Sequence, residues 1–475
     1  MPSGEKNTGP VKPRLGLWDT VSIIVGIVIG VSIFKAPPLI FANVATPWHG
    51  LLAWVLGGML ALVGAFCYAE LAATYPRAGG DYIYLSRAYG PAVGFFFAWA
   101  QIVAVLTGSL CVMAYVFADY AVEFFSASAE NAVGFAAAAV VVLTLLNCSG
   151  MVAGRTAQNI LTVAKVLGLS GVVISGIFWG GAPGPLEVRQ PMSGPGFGLA
   201  MVFVLYTYGG WNDAAFVTAE IHDTRRNIPR ALLLGIGVIF LLYLLINVAY
   251  LKSLGFEGLR NSTTPAADVL KLSMGKGASQ FVSLLVMISA LGAINGMILT
   301  GSRLYAAVGA EHQMFSLLGR WNERLGAPVW SCLIQAAMAL LLLFAVGTET
   351  GRSAIDGCFR TVAVAPPSWE NFSGGFERLI AGIAPVFWFF FLLTGISLFV
   401  LRKKDRDIPR VYKVPAFPIP PLLFCGMCIY MLWSAVAYAG TMTLVWILPL
   451  LAALPLYVIG RHRPTRNKTE QQGRP

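Results

Sequence analysis

Apolar positions in this chain neither alternate nor form narrow stripes; they run together in stretches of about 20 residues that recur from one end to the other. As helices, such stretches are long enough to cross a hydrocarbon core of roughly 30 Å. The pattern predicts twelve of them, near 18–38, 50–73, 89–118, 132–151, 158–180, 198–218, 231–251, 279–309, 329–346, 379–401, 421–439 and 442–460. The first is expected to remain in the mature chain. It follows a polar leader, has no small-residue cleavage site, and contains Lys35 and the pair Pro37-Pro38.

Two segments break the rules of a membrane helix. Segment 1 carries Gly26-Ile-Val-Ile-Gly30-Val-Ser32-Ile-Phe34 with the two prolines beyond it, and segment 6 carries Tyr206-Thr-Tyr-Gly209-Gly210-Trp211-Asn212-Asp213. Both are poor continuous helices. Unwound backbone at membrane depth survives only where it lines a cavity or is buried in protein. The interruptions open two successive groups of five segments, the arrangement expected of inverted repeats around a central site. An odd number of helices per repeat inserts the second upside down relative to the first. Free N–H groups near Val31, Ser32 and Ile33 would present the positive end of a half-helix to an anion. Free carbonyls around Val28, Tyr206 and Gly209 would face a cation, so one zwitterion satisfies both.

Composition and charge agree with a lipid-dissolved chain. Of 475 residues, 57% are hydrophobic and 12% charged, and the mean hydropathy is +0.71, well outside the range of soluble domains. The net charge of +11 could suggest nucleic acid. Its placement argues otherwise: 23 of the 33 Lys and Arg fall in the segments on one side and 8 on the other, with Lys35 and Lys165 inside helices. This asymmetry puts both termini in the cytoplasm, and Arg461, Arg463, Arg466 and Lys468 read as a topology anchor. The seven cysteines lie mostly within apolar segments, and Cys425-Gly-Met-Cys428 has metal spacing but no second pair or nearby His. No metal site, cofactor motif, catalytic motif or disulfide framework is predicted.

Charges within the segments are few and therefore informative. Lys165 stands midway along segment 5 and is a functional candidate by default. Asp213 adjoins the second break, where it could select a cationic group, carry a proton or face a wet cavity. Glu70, Arg77, Glu220 and Arg230 lie near the ends of segments on the basic side and could pair as an inner gate or serve as interfacial anchors.

Several motifs in their order along the chain resemble the amino acid–polyamine–organocation superfamily and, within it, the L-type amino acid transporter family. They are Gly30-x-x-Ile-Phe34, Tyr68-Ala-Glu70-Leu, Pro76-Arg77-Ala-Gly-Gly80-Asp81-Tyr-Ile-Tyr84-Leu, Tyr208-Gly-Gly-Trp211-Asn212, and Val217-Thr218-Ala-Glu220-Ile followed by Asn227-Ile-Pro229-Arg230-Ala. The resemblance runs from about Leu15 to Arg402. It implies an all-α integral membrane fold of the LeuT type, with twelve transmembrane helices, a 5+5 inverted repeat and discontinuous helices 1 and 6. It places the carboxylate-binding turn on Gly30, Val31 and Ser32, with Ser32 where the family usually has glycine. The amine-binding carbonyls fall on Val28, Tyr206 and Gly209, Tyr206 closes over the substrate, Asn212 is the polar residue of the second break, and Trp388 is a pocket wall. Lys165 resembles the lysine that stands where sodium-coupled relatives of this fold hold sodium.

The implied function is secondary transport of amino acids, chiefly neutral L-amino acids, without sodium, by alternating access, as an exchanger or a proton-coupled carrier. Cationic amino acids or polyamines are the alternative cargo, and a non-transporting sensor is the alternative class. A sensor would be expected to carry a sizeable output domain, whereas the leader and tail are each about 15 residues. The predicted organisation is a leader at 1–16, repeats at 17–180 and 197–401, a loop with two helices at 402–460, and a basic tail at 461–475. Animal members of the resembled family join a heavy chain through a cysteine after helix 3. Residues 119–130 contain none, so the expected partners are a small-molecule substrate and the lipid bilayer of the cell membrane, with no nucleic acid and no covalent heavy chain.

Overall fold

A computed structural model describes residues 13–180, 196–361, 375–440 and 442–461, together with Pro366, Pro367 and Trp369. The first twelve residues, the basic tail beyond Arg461 and parts of the 348–377 loop lie outside the described residues. Helices occupy all twelve predicted ranges. They are α1 (Leu17–Val28), α2 (Ser32–Ala42), α3 (Pro47–Thr74), α4 (Asp81–Tyr89), α5 (Pro91–Phe124), α6 (Ala132–Cys148), α7 (Met151–Phe178), α8 (Gly196–Thr207) and α9 (Thr224–Asn261). They continue as α10 (Pro265–Met274), α11 (Ala278–Glu311), α12 (Val329–Gly347), α13 (Glu349–Thr361), α14 (Gly375–Lys404), α15 (Ile419–Ala439), α16 (Met442–Leu451) and α17 (Ala453–Arg461).

Among the described residues, eight helices are long and apolar enough to cross a membrane, and α1 with α2 makes a ninth span bent by 50°. The other predicted segments are shorter or interrupted. Ala132–Cys148 is brief, and segment 6 becomes α8 followed by a 3-10 stretch, Trp211–Glu220. The long predicted outer loop contains a helix of its own, α13, and Trp369 Nε1 donates to Asp356 Oδ1 at 2.8 Å. α9 is bent at Gly255, whose φ of +68° is open to glycine and strained for other residues.

Helix α1 packs against α7, α9 and α11 and is buried along most of its length. The lipid-facing sides of α3, α7, α12 and α15 carry the exposed apolar residues, such as Leu167, Ile160, Leu341 and Trp433. At the bundle end that carries Leu15, the chain forms a small backbone clasp. Arg14 and Leu15 N–H groups donate to the Glu220 carbonyl at 2.8 and 2.9 Å, and His222 N–H donates to Leu15 O at 2.9 Å. Arg155 Nη1 joins from α7 through the Arg14 carbonyl at 2.9 Å.

Candidate functional site

The first break has the geometry its sequence predicts. Helix α1 stops at Val28, Ile29 leaves helical space at ψ 70°, and α2 starts at Ser32. The N–H groups of Val31, Ser32 and Ile33 make no hydrogen bond among the described residues. Pro37 and Pro38 fall within α2. The second break follows Thr207: Gly210 takes φ +100°, a conformation glycine adopts freely, and its position approaches Ile27 of the first break so closely that a Cβ would stand 2.9 Å from Ile27 Cγ2.

A cavity of about 110 Å³ lies where the breaks meet. Val28, Gly30, Ser32, Tyr206, Gly209, Asn212 and Trp388 all line it, as does Asp213. Val31 and Ile33 do not; their side chains are buried at 1% and 0% exposure, so they could contribute only backbone. Trp388 packs edge-on against Phe387 and Phe391 at 5.2 and 5.7 Å, which fixes it as wall. Asn212 Nδ2 donates to Asp213 Oδ1 at 3.1 Å, leaving Asn212 Oδ1 buried without a partner. The expected free carbonyl of Val28 is engaged: it accepts Gly30 N–H at 2.7 Å and the Tyr243 hydroxyl at 2.9 Å. Tyr206 O accepts Gly209 N–H at 3.1 Å, which leaves one lone pair there. No bond to Gly209 O is made among the described residues.

Lys165 is fully buried in α7, and its ammonium donates to Gly26 O at 2.8 Å, Ile29 O at 2.8 Å and Ser289 O at 2.9 Å. Three donors meet three carbonyls, so the group is saturated. Two of those carbonyls were released by the break in α1, and the third belongs to α11. Ser289 Oγ donates to Ile29 O at 2.9 Å or Gly30 O at 3.0 Å, which caps the same turn. Gly292 makes the space: a Cβ there would stand 2.9 Å from Lys165 Nζ.

The four candidate gate residues do not pair with one another. Glu70 binds Arg402 from α14, with Nε at 2.8 Å, and also Arg410 at 3.3 Å and the Val414 N–H at 2.7 Å. Glu220 binds Arg303 of α11 at 2.7 Å, with both side chains 2% exposed. Arg77 reaches Glu311 at 3.3 Å. Arg230 is exposed and makes no polar contact among the described residues. Neighbouring ties join the same region: Tyr75 OH donates to Asp405 at 2.7 Å, and Arg87 also binds Asp405. Burial pushes the Asp405 carboxyl up, but hydrogen bonds from Arg87 and Tyr75 and the Arg87 charge outweigh it and hold the group below its usual range.

Several site residues escape sequence reasoning. Tyr243 of α9 reads as an ordinary aromatic, yet its hydroxyl reaches carbonyls of both broken spans, Val28 at 2.9 Å and Thr207 at 3.4 Å. Gln101 lines the cavity from a π-helical turn, Gln101–Val105, within α5, a distortion frequent at functional sites. Arg303 reads as a basic residue near a segment end, but it is buried inside α11. Only an acidic partner from another span could have revealed it.

Comparison with known proteins places this geometry in context. Over 98% of the chain and 85% of the relative, the chain is 29% identical to the large neutral amino acids transporter small subunit 2 of Mus musculus. It is 27% identical to the b(0,+)-type amino acid transporter 1 of Homo sapiens, over 97% of this chain and 90% of that one. Among solved structures it resembles Mhp1, a nucleobase-cation-symport-1 family transporter in a closed conformation with bromovinylhydantoin bound. That match has a TM-score of 0.56 at 14% identity, covering 95% of this chain and 93% of that one, and shows a shared fold. Residues 15–462 match the profile of the amino acid permease family, and the chain belongs to that family.

Proposed function

We propose that this chain is a secondary carrier of amino acids, chiefly neutral L-amino acids, working by alternating access at the cavity between the two breaks. The observation that carries this reading is that the N–H groups of Val31, Ser32 and Ile33 and acceptor capacity on Tyr206 and Gly209 stay unused among the described residues, while Gly30, Ser32, Tyr206 and Gly209 line one cavity. A carboxylate suits the first and an ammonium the second. The names of its relatives support the same cargo. Sodium independence follows from Lys165, whose fixed ammonium already neutralises the carbonyls around Gly26 and Ile29. Twelve spans in a 5+5 inverted repeat, residues 17–180 and 197–401, with both termini cytoplasmic, complete the proposal, and no covalently attached second subunit is required.

A second cargo, cationic amino acids or polyamines, is favoured by one observation: Asp213 is the sole charged side chain lining the cavity among the described residues. The test is uptake of labelled leucine, alanine, serine and lysine into proteoliposomes, with choline in place of sodium, with and without internal amino acid. Uptake of leucine or alanine that ignores sodium is the expected result. Preferred uptake of lysine would move the cargo to the second reading, and silence with all four would sink the amino acid proposal.

A further inference from the structure

Cys148 and Cys332 are far apart in the chain and meet in the fold. Cys148 is the last residue of α6 and is half-buried; Cys332 lies in the first turn of α12 and is buried; both carry free thiols. The two helices pack against each other, and the thiols are hydrogen-bonded to one another. A disulfide needs Cβ atoms roughly 3.5–4.5 Å apart, and thiols in direct contact on facing helices need little motion to reach that geometry.

The backbone on either side of each cysteine is fastened. Before Cys148, Asn147 Nδ2 donates to Asn295 Oδ1 of α11 at 2.8 Å. After it, Met151 N–H donates to Leu325 O at 3.1 Å, and a Cβ on Gly150 would stand 3.1 Å from the same oxygen. The corner between α6 and α7 is thus tied to the chain that leads into α12. On the other side, Ser331 Oγ donates to Leu318 O at 2.8 Å, and Cys332 N–H donates to Pro328 O at 3.1 Å. The contact between the thiols is therefore held by the fold around it.

A buried free cysteine is commonly a small apolar filler. Cys332 has polar company instead. It also hydrogen-bonds Ser302, whose Oγ accepts from Arg303 Nη1 at 2.9 Å. Arg303 Nη2 contacts Met151 Sδ at 2.9 Å, and its Nε binds Glu220 at 2.7 Å. The Glu220 carbonyl in turn receives the Arg14 and Leu15 N–H groups of the clasp. The thiol pair stands at the foot of this series of contacts. The proposed topology puts that end in the cytoplasm, where disulfides are rare and commonly redox-sensing.

We infer that Cys148 and Cys332 form a reversible oxidation site, closed by a peroxide into a disulfide that staples α6 to α12 beside Arg303. The Cys148 sulfur, the more accessible of the two, attacks the peroxide. An S–O bond forms, the O–O bond breaks, and the thiol proton leaves with the departing hydroxide as water, giving a sulfenic acid. The Cys332 sulfur then attacks that sulfur. The S–S bond forms, the S–O bond breaks, and the hydroxide leaves with the Cys332 proton as a second water. The two thiols lose two electrons, and the peroxide gains them.

The test treats purified full-length protein in lipid nanodiscs with hydrogen peroxide, blocks remaining thiols with N-ethylmaleimide and maps the peptides by mass spectrometry. The expected result is a Cys148–Cys332 linked peptide that dithiothreitol removes and that neither Cys148→Ser nor Cys332→Ser produces. The linked protein should also melt higher than the reduced one, and dithiothreitol should reverse the shift. Wild type in which both thiols are recovered alkylated, or oxidised singly without a link, overturns the site. So does a link mapped to Cys67, Cys425 or Cys428 in its place. A linked protein that melts with the reduced one overturns the staple. Mapping the wild type needs no variant, so the outcome does not depend on either serine substitution folding, and no step of it requires a cargo.

Discussion

Lys165 shows what a single charge can do inside a membrane protein. An uncompensated lysine at mid-bilayer costs roughly 2.5–3.5 kcal/mol on insertion scales, yet here three carbonyls saturate it. The space depends on Gly292. We predict that Gly292→Ala, whose Cβ would meet Nζ at 2.9 Å and Cε at 3.0 Å, lowers stability by about 1–3 kcal/mol and slows uptake. Gly171→Ala, on the same helix as Lys165 with nothing within 4 Å, should leave the melting temperature close to wild type. Equal melting of the two variants would refute this. At Tyr206, truncation to Ala removes an aromatic face from the cavity, a loss of about 1–2 kcal/mol and thus roughly tenfold in KM. Membrane insertion should be intact; an unchanged KM would take Tyr206 off the site. Lys165 was legible in the sequence because a charge is rare at membrane depth, and Tyr206 and Asn212 because they flank the adjacent glycines Gly209 and Gly210 of the second break. Tyr243 was not, since a tyrosine in an apolar helix carries no mark of the carbonyl its hydroxyl will find.

Among the elements, the two breaks were the most readable, because glycine clusters and unsatisfied backbone leave a strong local signature. The partners of Glu70, Arg77 and Glu220 were not readable, since they join spans far apart in sequence. Glu220 meets Arg303 across 83 residues. We predict that Arg303→Met, which strands the buried Glu220 carboxylate, destabilises the protein by about 3–5 kcal/mol. Adding Glu220→Gln should recover part of that in thermal melts, and strict additivity of the two changes would argue against direct coupling. The tie at Asp405 behaves differently. Its carboxyl is held below the unfolded value of about 3.9, so its contribution is fully present above that pH and is lost only as pH falls through the lower folded value. Uptake should therefore respond to Asp405→Asn equally at about pH 5.5 and pH 7.5; a defect confined to the acidic condition would contradict this assignment.

At the scale of the whole molecule, hydropathy alone located helix in every predicted range, because a chain in lipid must satisfy its backbone internally. It could not distinguish a complete span from α8 with its 3-10 continuation, or foresee α13 within the 348–377 loop, since those depend on what packs beside them. The clasp at Leu15 has a consequence of its own. It is made from main-chain groups: Arg14 and Leu15 give their N–H to Glu220, and His222 gives its N–H to Leu15. Main-chain bonds are indifferent to side-chain identity, so point substitutions at Arg14 or His222 leave the pattern available. They are strict about spacing, because one added residue between Leu15 and α1 puts every donor out of step with its acceptor. The start of the first span is thus set like the length of a tether, and insertions there, more than substitutions, will decide whether that end of the bundle can shut.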